Sequence, residues 1–320
     1  MSNFWKNKKI LVTGATGFIG KALVRKLLEL DGTVYALSNH SSFKKEHLNL
    51  NVIVVDISDK EAILTLFNKN NFDFCFHLAA QPIVDVGSND PTTTFEVNIK
   101  GTWNILEAAR HNNLKGIIVA STSHVYGKNI LPFLEEYFPR PSRPYETSKA
   151  CADMIAQTYA SYYDLPIAIA RFVNTYGYGD NNVRIVPRTI QLLMKNKRPE
   201  IFYDRTTRDY LYIDDAIDAY IMLAEKLKDL KKESDNIIFN FGTGKHYSNA
   251  TIIKKIIKLY YGSTITPVAT KIVRKQEINK QYVSIDKAKK LLDWEPKFTL
   301  EQGLLKTIEW YKAGVQIDDL

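Results

Sequence analysis

Short β-branched runs alternate with stretches of helical periodicity through the first half of the chain. Lys9–Thr13 (KILVT) is a near-continuous apolar run, as a strand buried on both faces requires, and Lys21–Leu30 follows with apolar residues at helical spacing. Further strands are predicted at Thr33–Leu37, Val52–Val55, Phe72–Leu78, Gly116–Ala120 and Ile167–Arg171. Helices are predicted between them at Lys60–Asn68, Thr92–His111 and Thr147–Tyr163. This alternation predicts an α/β fold with a doubly wound parallel sheet.

The texture changes after Asn174. Turn-forming residues cluster at Tyr176–Asn182 and Asn240–Asn249. Helical patterns at Pro187–Lys195, Asp215–Lys228 and Ala250–Tyr261 mix with short strands at Ile201–Tyr203 and Tyr210–Ile213. The expected organisation is a larger α/β domain over residues 1–174, with a return segment at about 209–240. A smaller mixed α/β lobe is then built from 175–208 and 241–320. There is no internal repeat and no low-complexity segment.

Composition narrows the class without changing this picture. Among 320 residues, 45% are hydrophobic and 24% charged, the balance of a globular enzyme. No apolar run approaches the ~20 residues of a membrane span. The two cysteines, Cys75 and Cys151, make neither a disulfide framework nor a metal site, and a reduced, cytoplasmic protein is expected. The net charge of +8 comes from scattered Lys and Arg rather than one basic stripe, which argues against nucleic acid and suits an anionic small substrate.

The segment Gly14-Ala-Thr-Gly17-Phe-Ile-Gly20 directly follows the first strand and opens the first helix. Glycines there permit a tight turn and let a pyrophosphate approach the free N–H groups of a helix N-terminus. Further on, Tyr145 and Lys149 stand four residues apart at the start of a helical pattern, so they share one face. A phenol of pKa ~10 is a poor base at neutral pH, and a neighbouring ammonium brings it into range. A hydroxyl-rich run, Ser121-Thr122-Ser123-His124-Val125-Tyr126-Gly127, follows the strand Gly116–Ala120, at the sheet end where open α/β sheets bind ligands.

The glycine spacing, the Tyr-x-x-x-Lys pair and the STxxVYG-like run occur in the order of the extended short-chain dehydrogenase/reductases, which the chain resembles over about residues 8 to 310. The resemblance implies a Rossmann-type domain, a tightly bound NAD or NADP, and a redox core of Thr122, Tyr145 and Lys149. It also implies that Gly14, Thr16, Gly17, Phe18, Ile19, Gly20, Ser38, Asp56 and Ile57 bind the cofactor. Leu78, Ala79, Ala80, Gln81, Asn98 and Phe172 join them, with Asp56 at the adenine edge, the 78–81 run beneath the adenosine ribose and Asn98 positioning backbone. The second strand ends on Ser38-Asn39-His40, with Lys44 and Lys45 beyond, and offers neither an acidic residue for NAD nor an Arg for NADP.

Arg171-Phe-Val-Asn174-Thr-Tyr-Gly177 and Arg208-Asp-Tyr-Leu-Tyr-Ile-Asp214-Asp215 resemble motifs of nucleotide-sugar epimerases and dehydratases. There the matching Asn and Arg hold a diphosphate, which implies substrate contacts for Thr122, Asn174, Arg184 and Arg208. The runs HLAAQPIV and DPTTTFEVNIKGTWNILEAAR are most similar to CDP-glucose 4,6-dehydratases, and ASTSHVYGK to GDP-mannose 4,6-dehydratases. Such an enzyme oxidises C4, removes the C5 proton and expels water from C6. It needs added groups beside the catalytic hydroxyl, and this chain has Ser123 and His124 there, the imidazole replacing a carboxylate. A 4-epimerase or a C4 dehydrogenase/reductase of the same family stays open. The resemblance further implies a homodimer packed through the helices 95–111 and 148–163.

Overall fold

The computed structural model describes residues 3–39, 47–201, 206–234, 237–262, 266–269 and 278–314. Its centre is a parallel sheet containing β1 (Lys9–Thr13), β2 (Thr33–Ser38), β3 (Leu50–Val54), β4 (Phe74–His77), β5 (Gly116–Thr122) and β6 (Ile167–Phe172). From edge to edge the order is Ile237–Phe241, β6, β5, β4, β1, β2, β3, which makes seven strands. Side chains alternate between two apolar layers, as strand geometry requires. Ile10, Val12, Phe74 and Phe76 join one layer with Leu23 and Leu27; Leu11 and Cys75 join the other with Phe67 and Ile105.

The helices on this half are α1 (Phe18–Glu29), α2 (Lys60–Lys69), α3 (Val84–Asn89), α4 (Pro91–Phe95), α5 (Gly101–Arg110) and α6 (Pro144–Tyr162). Asp59 accepts from the Ala62 amide to cap α2, and Asp90 accepts from that of Thr93 to cap α4 ahead of Pro91. The single helix expected over Thr92–His111 is α4 and α5 joined by a π-helical turn, Glu96–Lys100, which carries Asn98. Such turns widen a helix locally and are frequent at functional sites.

The second half contributes β7 (Asn174–Tyr176), α7 (Ile185–Met194), β8 (Glu200–Ile201), β9 (Thr207–Arg208), β10 (Tyr210–Tyr212), α8 (Ile213–Glu233) and β11 (Ile237–Phe241). Then follow β12 (Tyr247–Ser248), α9 (Asn249–Tyr261), β13 (Val268–Ala269), β14 (Lys280–Gln281) and α10 (Leu300–Lys312). Strands β7 and β10 pair in parallel, β12, β9 and β14 form a small sheet, and α7, α9 and α10 pack together. Helix α8 crosses back to cover β5, β6 and α1, and β11 closes the large sheet.

Strands β7 and β11 fall where turns were expected. The turn signal read at Asn240 lies inside β11, because its polar groups are used internally. Asn240 accepts from the Tyr126 hydroxyl at 2.7 Å and donates to the Phe133 carbonyl at 3.1 Å. The turn cluster from Tyr176 likewise begins on the last residue of β7. Among the described residues no helix is long and apolar enough to cross a membrane.

Candidate active site

The glycine turn is closed by a hydrogen bond from the Gly17 amide to the Gly14 carbonyl, 3.0 Å. Gly14 has φ +66°, and a Cβ there would lie 2.7 Å from the Ala79 backbone. A Cβ on Gly20 would sit 2.1 Å from the Gly14 carbonyl oxygen, so α1 can start this close to the turn only with glycine. Gly17 occupies the N-cap of α1 with extended backbone, and no acidic residue stands in that helix's first turn. The cradle therefore offers open amides and bare backbone, which fits a dinucleotide pyrophosphate.

A buried chain of polar groups fixes the neighbouring segment. The Thr13 hydroxyl accepts from the amides of Leu78 and Ala79, each at 3.1 Å, and lies 2.8 Å from His77 Nδ1. His77 Nε2 lies 3.0 Å from the Thr102 hydroxyl, which donates to the Asn98 carbonyl. Burial lowers His77 to about 3, with the Lys149 charge adding to it, so this imidazole is neutral and structural. Asn98 accepts from the Gln81 amide at 2.7 Å and donates to the Gln81 carbonyl and to the Ser148 hydroxyl. It sits 1% exposed behind the 78–81 run, and it organises that backbone rather than standing at the cavity wall.

Helix α6 brings Tyr145 and Lys149 to one side of a cavity of about 610 Å³. Lys149 is buried and donates from Nζ to the Ala120 carbonyl at 2.7 Å. Burial lowers it to about 8, opposed by the charge of Asp153. Burial raises the Tyr145 hydroxyl, the charge of Arg184 and a hydrogen bond from Thr122 draw it back down, and the Glu146 charge adds to the rise. Thr122 ends β5 and caps the 3-10 turn Ser123–Tyr126. His124 projects from that turn into the cavity wall, its ring centre 6.2 Å from that of Tyr145.

Behind His124 stands Glu146, fully buried. Its Oε1 lies 3.4 Å from His124 Nδ1 and accepts from Arg143 Nε at 2.9 Å and Nη2 at 2.5 Å. Its Oε2 takes the amide and hydroxyl of Ser142. Burial pushes the carboxyl up, but the His124 and Arg143 contacts reverse this and hold it at about 2.

Thr122, His124, Tyr145, Lys149, Ile19, Leu78, Ala80, Phe172, Asn174, Arg184 and Arg208 all line the cavity. Ser123 does not: it is 1% exposed, turned inward by the 3-10 turn that points its neighbour His124 outward. Thr16, Phe18 and Ala79 belong to the glycine turn and the run packed against it. Ser38 ends β2; Asp56, exposed just after β3, takes the amide and hydroxyl of Ser58 at 2.8 Å each, and Ile57 is buried beside it. His40, Lys44 and Lys45 lie outside the described residues.

Arg143, Glu146, Asp180, Arg188 and Glu200 stand at the site without a sequence motif that marks them. Asp180 lies 3.6 Å from Arg184 and is raised to about 6 by burial against the pull of that arginine. Arg188 pairs with Glu200 at 3.0 Å and lies one helical turn beyond Arg184 along α7, a spacing that was legible in the sequence. Among the described residues there is no cluster able to hold a metal ion.

Known proteins are similar to this chain over nearly its whole length. UDP-glucuronate 4-epimerase of Thermodesulfobacterium geofontis is 30% identical over 96% of this chain and 97% of its own length. The human dTDP-D-glucose 4,6-dehydratase is also 30% identical, over 96% of this chain and 91% of its own. The crystal structure of UDP-glucose 4-epimerase from Thermotoga maritima, with UDP-glucose, superposes with a TM-score of 0.88 at 31% identity, covering 96% of this chain and 100% of that one. Residues 10–242, from β1 to just past β11, match the NAD dependent epimerase/dehydratase family, and the chain belongs to that family as an NAD-dependent enzyme.

Proposed function

We propose that the protein is a nucleotide-sugar 4,6-dehydratase. The observation that carries this reading is His124. A titratable side chain other than the tyrosine lines the cavity beside Tyr145, and elimination is the reaction of this family that calls for one. Tyr145 would take the proton of the sugar C4 hydroxyl, with Thr122 hydrogen-bonded to the same oxygen. Arg184 and Thr122 would draw the tyrosine towards its reactive form, with the Lys149 ammonium anchored on the Ala120 carbonyl in the same cavity wall. Bound NAD would supply the redox half of the reaction, accepting a hydride from C4 and returning it to C6. His124 would take the C5 proton made acidic by the C4 ketone. Asn174, Arg184 and Arg208 would hold the diphosphate, the guanidiniums by bidentate contact.

The working picture is a cytoplasmic homodimer. A nucleotide-binding lobe, residues 1–174 with the return segment, faces a sugar-binding lobe across the cavity. Exposed Trp103 on α5 and Met154 and Tyr162 on α6 support that dimer face.

A 4-epimerase is the second reading. It is favoured by Ser123, since only one of the two positions where dehydratases place added groups reaches the cavity. One experiment separates them. The purified protein, without added cofactor, is incubated with UDP-, GDP-, CDP- and dTDP-glucose in deuterated water. Loss of water with deuterium at C5 is expected. A C4 epimer of unchanged mass would establish the epimerase, and a ketone or alcohol formed only with stoichiometric NAD(P) a dehydrogenase or reductase.

A further inference from the structure

We propose that Glu146 is a positioning residue for His124, holding the imidazole as the Nδ1–H tautomer with Nε2 turned to the substrate; this rests on the elimination reading above. Glu146 is the N3 residue of α6, and a carboxylate there also suits the helix dipole and the Ser142 amide behind it. Capping alone does not account for the rest of its surroundings. Oε1 is directed at His124 Nδ1, and the Arg143 fork grips the same oxygen from the other side. The 3.4 Å separation is long for a hydrogen bond, within the looseness of catalytic contacts before substrate binds.

A base held by a buried carboxylate is the logic of orienting groups behind catalytic histidines. The steps balance through one nitrogen. The C5–H bond breaks and its proton goes to Nε2, giving an imidazolium whose charge is countered by the Glu146 carboxylate. The C6–O bond then breaks as a C5=C6 double bond forms beside the C4 ketone, and the departing hydroxyl takes that proton from Nε2 as water. The carboxylate neighbours Arg143 throughout, so its charge is fixed while the histidine gains and loses its own.

The test is Glu146→Gln, near-isosteric, assayed with whichever of the four nucleotide glucoses turns over. The elimination kcat should fall by roughly 10²-fold or more, with KM little changed. Absorbance of reduced nicotinamide should build up on mixing with substrate, because Thr122, Tyr145 and Lys149 stay in place, loss of the Glu146 charge favours the Tyr145 phenolate, and the next step has slowed. A purely capping role predicts a lower melting temperature with both steps falling together, and that outcome overturns the proposal. So does a wild-type elimination rate in Glu146→Gln while His124→Ala eliminates nothing. Should the variant not fold, ¹⁵N spectra of the wild-type histidines decide: an Nε2–H tautomer at His124 sinks the proposal and Nδ1–H supports it. A wild-type protein that forms only a C4 epimer refutes the elimination reading itself.

Discussion

Burial holds the Lys149 ammonium at about 8, against an ordinary value of 10.5, with the Asp153 charge opposing the shift. The folded value lies below the unfolded one, so between about pH 8 and 10.5 the unfolded chain binds the extra proton. Stability from this residue therefore rises with pH through that window, and below pH 8 its full cost, about 3 kcal/mol at ~1.4 per unit, is present. Lys149→Met removes that cost while leaving the Ala120 carbonyl without its donor. The variant should melt higher than wild type at pH 7 and form no C4 ketone, and the gap in melting temperature should close between pH 8 and 10.5. A gap that does not change with pH contradicts this account. Tyr145 and Lys149 were legible in the sequence because four residues on one helix put them on one face, and Thr122 because the run after β5 resembles a family pattern. Glu146 was not, since no motif ties it to His124 and nothing in YETSK says that its second residue points inward.

At the scale of elements, the glycine turn and α1 act as one piece. A methyl group at residue 20 would meet the Gly14 carbonyl oxygen at 2.1 Å and the Ala15 backbone at 2.8 Å, and neither neighbour can move without opening the turn. Gly20→Ala should weaken NAD binding at least ~10-fold, measured by calorimetric titration, because the helix start can no longer approach the pyrophosphate. Unchanged affinity would mean that the turn does not hold it. The sheet was legible through its β-branched runs, and the first six strands lie where the periodicity placed them. The π turn was not, because Glu-Val-Asn-Ile-Lys fits an ordinary helix; what selects the wider turn is Asn98 reaching both Gln81 and Ser148. Strand β11 was missed for the converse reason, as Asn240 looks like a turn residue until its partners across the chain are known.

For the molecule as a whole, buried carboxylates tie the later segments to the large sheet. Asp215, at the start of α8, accepts from the amides of Lys297 and Phe298. Asp209, beside the cavity residue Arg208, accepts from the Thr243 amide and hydroxyl and from the Gly244 amide, fixing the loop that follows β11. The Asp209 carboxylate thus links β10 to the edge of the large sheet, and through Arg208 it sets where the cavity's cationic wall stands relative to Tyr145. Asp209→Ala removes the acceptor of the half-buried Thr243 amide and hydroxyl and of the exposed Gly244 amide, at ~0.5–1.5 kcal/mol for each hydrogen bond lost. The expected result is a lower melting temperature and a KM for the nucleotide sugar raised by about tenfold, with NAD affinity, anchored at the glycine turn after β1, little changed. Substrate and cofactor titrations of the same preparation check this. If both affinities fall in parallel, Asp209 holds the fold as a whole. If only the sugar nucleotide is lost, the segments it ties down carry the substrate while the glycine turn carries the cofactor.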